Sequence, residues 1–280
     1  MTFAGTAKRS ELARLNGTGA RGAAETAGSP LQQVGESENF RVLSSGAEPV
    51  DPGVLKQCEQ LRAQLYRTWT NAEPQHAWRP RCEIVLHGSD AAYARAVGPA
   101  AARTVASSLT RQIPGRDIVR HIDIRATRAN WLTSALPHEL THVFLADCFA
   151  GQKLPRWIDE GAAVLADPVR KQQLHLADAR RALAAGNAFR AVELLSLKDY
   201  PTSDRWTVFY GESMSLVKFL VDRRSPADFL EFVQIALSRG DVAALEEIYQ
   251  IASVAELERS WLAELSGQTK SIVTLPRNNP

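Results

Sequence analysis

Two histidines separated by three residues, in Leu136-Pro137-His138-Glu139-Leu140-Thr141-His142, constrain this chain more than any other feature. On an α-helix, residues i and i+4 sit one above the other, so His138 and His142 aim their imidazoles at one point. The same helix carries Leu136, Leu140, Val143, Phe144 and Asp147 along one side, a mostly apolar seat for burial. Ser134 is the expected N-cap, which puts Pro137 in the first turn where its missing N–H is no loss. Gly151 is the expected stop, and Pro155 opens a second helix. In that helix Trp157, Glu160, Gly161 and Val164 fall at i, i+3, i+4 and i+7, while Asp159 falls off that face. Glu160 is therefore the carboxylate expected to point inward.

Two imidazole nitrogens and one carboxylate oxygen make a donor set for zinc, and a catalytic zinc keeps its fourth position open for water. His138, His142 and Glu160 are the expected ligands of one zinc ion per chain. Glu139 lies beside the metal and is the expected general base, taking a proton from the attacking water and passing it to the leaving amine. The expected activity is zinc-dependent hydrolysis of peptide bonds. The same residues serve hydrolysis of a non-peptide amide equally well. A binding or scaffolding protein that kept the fold without turnover has no need of Glu139. Asp147 and Asp159 are less well placed as third ligands. His76, His87, His121 and His175 lack ligand spacing and read as surface or satisfied core residues. Arg156 reads as the partner of a nearby acid, and Arg239-Gly240-Asp241 as a polar turn at a helix end.

The segments before the motif read differently. Residues 39–43 alternate as a strand, and residues 51–69 carry a helical stripe at Val54, Leu55, Leu61, Leu65 and Tyr66. Residues 81–87 form a second strand, after which Ser89 caps a short helix through Val97. Residues 104–112 and 117–125 flank Ile113-Pro114-Gly115-Arg116 as a hairpin. Beyond the motif, helices are expected at 169–185, 206–222, 226–239 and 254–265. The fold class is thus α+β: a small, mostly antiparallel sheet lobe (38–128) followed by a helical lobe (129–268), with the metal-site helix between them. Residues 1–37 read as a disordered tail with too little to bury, and 269–280 as a loose tail.

The constellation resembles the gluzincin peptidases, in particular the bacterial peptidase-MA-like families. The resemblance runs from about Phe40 to Leu265 and is strongest at 137–142, 154–166 and 209–221. It implies a zincin-like fold, with the Trp-x-x-Glu-Gly helix supplying the third ligand, Glu160, after seventeen intervening residues. It also implies a tyrosine that hydrogen-bonds the oxyanion, for which Tyr210 is the candidate and Tyr200 the alternative. Peptide binding along the strand at His121–Arg125 or its hairpin partner is implied as well. Leu145 and Cys148 occupy the positions where a metzincin carries its glycine and third histidine, which tells against that class. One departure from the resembled family stands out. Val164 stands where thermolysin-like members carry the acid that orients a histidine, so Asp123, Asp167 or a backbone carbonyl is expected in that role.

Composition bounds the partners. A formal net charge of +2 leaves no electrostatic footprint for nucleic acid. No apolar run is long enough to span a bilayer, so a soluble protein acting on a peptide or protein substrate is expected. No export signal is visible, which favours the cytoplasm unless the true start differs. Asn16-Gly17-Thr18 is then a chance match to a glycosylation pattern. Three cysteines, Cys58, Cys82 and Cys148, make no disulfide framework in 280 residues and are expected as reduced thiols.

Overall fold

A computed structural model of the chain describes residues 31–46, 51, 53–102, 104–112, 118–150 and 152–267. The elements in order are β1 (Gln32–Glu36), β2 (Phe40–Ser44), α1 (Gly53–Thr70), β3 (Cys82–His87), α2 (Asp90–Val97), β4 (Ala106–Gln112) and β5 (Ile118–Arg125). Helices follow: α3 (Leu136–Cys148), α4 (Arg156–Leu165), α5 (Val169–Ala184), α6 (Ala191–Ser196), α7 (Trp206–Arg223), α8 (Pro226–Arg239), α9 (Asp241–Ala244) and α10 (Val254–Leu265). The class is α+β.

The sheet corrects two expectations. Its order is β1-β2-β3-β5-β4, with β2, β3 and β5 mutually parallel and β1 and β4 antiparallel on the two edges. It is mixed rather than mostly antiparallel, because α1 carries the chain back over the sheet between β2 and β3, as a parallel crossover requires. Residues 32–36, assigned to the tail, form β1 against β2. The other tail residues, Asn16-Gly17-Thr18, the Ile113–Arg116 turn and Gly151 lie outside the described residues.

Along β5, Arg120, Ile122 and Ile124 alternate inward and are buried. Against this face lie α1 and α3, where Leu136, Leu140, Val143 and Phe144 are fully buried. Asp147 anchors the far end of α3. Its carboxylate accepts hydrogen bonds from Tyr66 on α1 (2.8 Å), from the Trp78 indole (2.9 Å) and from Arg120 on β5. Burial alone would raise its pKa, but these donors hold it below the usual carboxylate range.

The entry to α3 also differs from expectation. Ser134 does not cap it. A π-helical turn, Trp131–Ala135, leads straight in, with the Leu136 N–H bonded to the Trp131 carbonyl and Ser134 buried inside the turn. Pro137 explains this. Its ring would crowd the carbonyl four residues back in a regular helix, and the wider turn relieves that.

In the helical lobe, α4 and α7 approach to backbone contact. A Cβ on Gly161 would meet the Ser213 carbonyl oxygen at 2.5 Å. On the other side of α7, a Cβ on Gly211 would meet the His175 carbonyl oxygen of α5 at 2.3 Å. The glycine after Glu160 is therefore the residue that lets α4 lie deep enough to face α3. Trp157 on the same helix packs edge-on against Phe229 and at a tilt against Phe232 of α8.

Candidate metal centre

Three residues predicted from the sequence converge where α3 faces α4. The imidazole rings of His138 and His142 lie 5.0 Å apart. Their Nε2 atoms sit 3.7 and 3.8 Å from one oxygen of Glu160, Oε2. Ligand atoms of His138, His142 and Glu160 all fall within 4.8 Å of one another, and among the described residues this is the one histidine, cysteine and carboxylate cluster of that kind. It can hold a metal ion. Cys148 is half-buried and takes no part, and all three thiols are free.

The back of each imidazole meets a carboxylate. His142 Nδ1 lies 2.7 Å from Asp159 Oδ1, and His138 Nδ1 lies 3.4 Å from Asp167 Oδ2, an ion-pair distance. Of the residues expected to orient a histidine, Asp167 lies at that ion-pair distance, with no hydrogen bond between the two facing atoms. Asp123 does not: it holds His87 at 2.6 Å and His121 at 3.1 Å on the other face of the sheet. Those two histidines are satisfied, as expected. Asp159, set aside because it falls off the inward face of α4, turns toward His142 instead. Helical spacing reports the face a residue occupies but not that a neighbouring helix runs past that flank.

Charge in the cluster is lopsided. Burial works against protonation of His138, yet the Asp167 and Glu160 carboxylates raise its pKa to about 9. Burial likewise opposes protonation of His142, but Asp159 and Glu160 raise it to about 10. Glu160, which burial would raise, is held at about 2 by His142 and His138 and by a hydrogen bond from Tyr200. Three carboxylates thus favour positive charge on the two imidazoles, Asp159 and Asp167 from the Nδ1 side and Glu160 from the Nε2 side. A divalent cation at the Nε2 atoms would take the place of protons there, because a ligating imidazole is neutral. Two imidazoles and one carboxylate are a donor set of the kind zinc takes; ligands about 2.0–2.1 Å from a tetrahedral zinc lie about 3.3 Å apart, against 3.7 and 3.8 Å between Glu160 Oε2 and the two Nε2 atoms here.

The cluster opens into a cleft of about 380 Å³ lined on one side by β4 and on the other by α3, α4 and the two tyrosines. Glu139 lies at its floor, and Ser108 of β4 donates a hydrogen bond to Glu139 Oε2 at 2.7 Å. Both tyrosines line the cleft, with different neighbours. The Tyr200 hydroxyl donates to Glu160 Oε1, leaving Oε2 for the histidines. Tyr210 stands beside it, packed against His175 and Phe209. Burial pushes both phenols well above their usual range, so they are hydrogen-bond donors at neutral pH. Arg156 sits over the Tyr200 ring at 4.8 Å and pairs with Asp159 at 3.4 Å, as expected of it.

One wall of the cleft is an open sheet edge. Arg125 N–H donates to the Val105 carbonyl (2.8 Å), so odd-numbered residues of β4 bond to β5. Ala106, Ser108 and Thr110 direct their N–H and C=O groups the other way, where no strand pairs among the described residues. β5, one of two strands expected to bind peptide, is flanked on both sides and offers no edge. Of the two, β4 is the strand whose outer edge is unpaired among the described residues.

The chain matches no protein-family model and no curated protein. Among the described residues, no helix is long and apolar enough to cross a membrane.

Proposed function

We propose that this protein is a zinc metallopeptidase of the gluzincin type, cleaving peptide bonds in extended substrates laid along β4. One observation carries the reading: two imidazole Nε2 atoms and Glu160 Oε2 converge on one point, with Glu139 beside them at the floor of a cleft walled by a free strand edge. Bound to His138, His142 and Glu160, zinc supplies Lewis acidity, acidifying water and polarising a carbonyl. The Glu139 carboxylate takes the proton of the attacking water and returns it to the departing nitrogen. Tyr210, a neutral phenol on the cleft wall, donates a hydrogen bond to the oxygen on which charge develops. Asp159 and Asp167 keep the Nδ1 side of each imidazole engaged, so that both present Nε2. The backbone groups of Ala106, Ser108 and Thr110 pair with an extended chain whatever its side chains. That edge favours a peptide over a small non-peptide amide.

Elemental analysis of purified protein, with peptide-library cleavage by the parent, Glu160→Ala and Glu139→Gln, tests the reading. One zinc per chain, lost in Glu160→Ala, and cleavage lost in Glu139→Gln with zinc retained, are the expected results. Zinc without cleavage by the parent points to a zinc-binding protein without turnover. Absence of zinc after dialysis against excess metal removes the metal site altogether.

A further inference from the structure

The proposed base is held by the strand that the substrate would pair with. Glu139 occupies the first turn of α3 and Ser108 the middle of β4, and the 2.7 Å bond between them is the contact that binds the carboxylate. A hydroxyl facing an ionised carboxylate must be the donor, and such charge-assisted bonds are the short, strong ones. Oε2 is taken by Ser108, and Oε1 has no hydrogen bond among the described residues. A glutamate with three rotatable bonds and one free oxygen is oriented only as well as its other oxygen is tied. The register adds a second link. Ser108 is paired with Ile122, its side chain turned to the α3 face, while its own N–H and C=O face the open edge.

We infer that Ser108 is a positioning residue for Glu139: its hydroxyl fixes one carboxylate oxygen so that the other is aimed at water beside the docked peptide. The inference rests on the peptidase reading. Its consequence is that substrate pairing and base alignment share one residue, so a peptide that straightens β4 at Ser108 also steadies the base.

The experiment compares the parent enzyme with Ser108→Ala, Ser108→Thr and Ser108→Val, measuring kcat, KM and zinc content. Thr and Val have the same shape and suit a strand, so the pair isolates the hydroxyl. Loss of one hydrogen bond to a charged group is expected to lower kcat about tenfold in Ser108→Ala and Ser108→Val. KM stays within about twofold and zinc remains at one per chain, because neither ligand nor edge is touched. Ser108→Thr is expected to recover most of the parental kcat. Parental kcat in Ser108→Val, a loss confined to KM, or equal losses in Thr and Val would each overturn the assignment. If Ser108→Ala is misfolded, the Thr and Val comparison decides alone. Zinc binding without cleavage in the parent defeats the peptidase reading first, and the role of Ser108 falls with it.

Discussion

Glu212 is fully buried in the middle of α7, with one oxygen accepting the Phe189 N–H at 3.0 Å and the other unpartnered. Burial in these apolar surroundings, only partly offset by that bond, pushes its pKa up to about 7 from 4.5. Between those two values the folded protein keeps a proton that the unfolded chain has released. Stability is therefore greatest below about pH 4.5 and declines as pH rises through 7, by about 3 kcal/mol for this group at 1.36 kcal/mol per pKa unit. Glu212→Gln is expected to remove that part of the slope, so the variant gains on the parent between pH 5 and pH 8 in urea unfolding. A constant difference across that range would show that Glu212 is ionised in the folded state. At this same scale, the members of the candidate metal cluster are legible in the sequence and the residues that surround them are not. His138, Glu139, His142 and Glu160 declare themselves by spacing within one helix or one face. Ser108, Asp159 and Tyr200 act across elements, and spacing along a chain carries no information about which flank another element will meet.

Helices were the legible elements, because a periodic apolar stripe is written within each segment: residues 169–185, 206–222, 226–239 and 254–265 were expected, and helices occupy Val169–Ala184, Trp206–Arg223, Pro226–Arg239 and Val254–Leu265. The strands were recognisable one at a time, but their order depends on the path of α1 over the sheet, which no strand encodes locally. Gly161 shows a related limit. The sequence marks it as part of a motif, whereas its reason is a contact with α7. A methyl group there would sit 2.5 Å from the Ser213 carbonyl oxygen and 2.5 Å from Val217 Cγ2. Backbone cannot move aside as a side-chain tip can, so α4 would have to lift from α7. Gly161→Ala, a favourable exchange on helix propensity alone, is expected to destabilise the fold by about 2 kcal/mol or more through overpacking. Because α4 carries Glu160 and Asp159, zinc affinity should fall with it. Chemical denaturation and chelator competition on the same variant check both, and a stabilised variant would mean that the two helices are not in contact at this point.

On the scale of the whole molecule, the sheet lobe and the helical lobe are joined through α3. Asp147 pins one end of that helix to α1 and β5, and its histidines engage Glu160 and Asp159 of α4 and Asp167 just beyond that helix. The candidate centre is therefore also a polar junction between these helices. Metal bound only by the folded protein adds stability by mass action, about 2.7 kcal/mol at a free concentration one hundred times the dissociation constant. For a domain of this size, each kcal/mol moves the melting temperature by about 2–4 °C. Chelator-stripped protein is thus expected to melt about 5–10 °C below the zinc-loaded form, and to recover on adding back one equivalent. In Glu160→Ala the gap should close, since a ligand is gone. In Asp159→Asn it should narrow, because an amide supports His142 less strongly than a carboxylate and such outer partners are worth about tenfold or more in metal affinity. Calorimetry of the three proteins, with and without metal, separates these cases. A zinc-dependent gap that persists unchanged in Glu160→Ala would place the metal elsewhere in the chain.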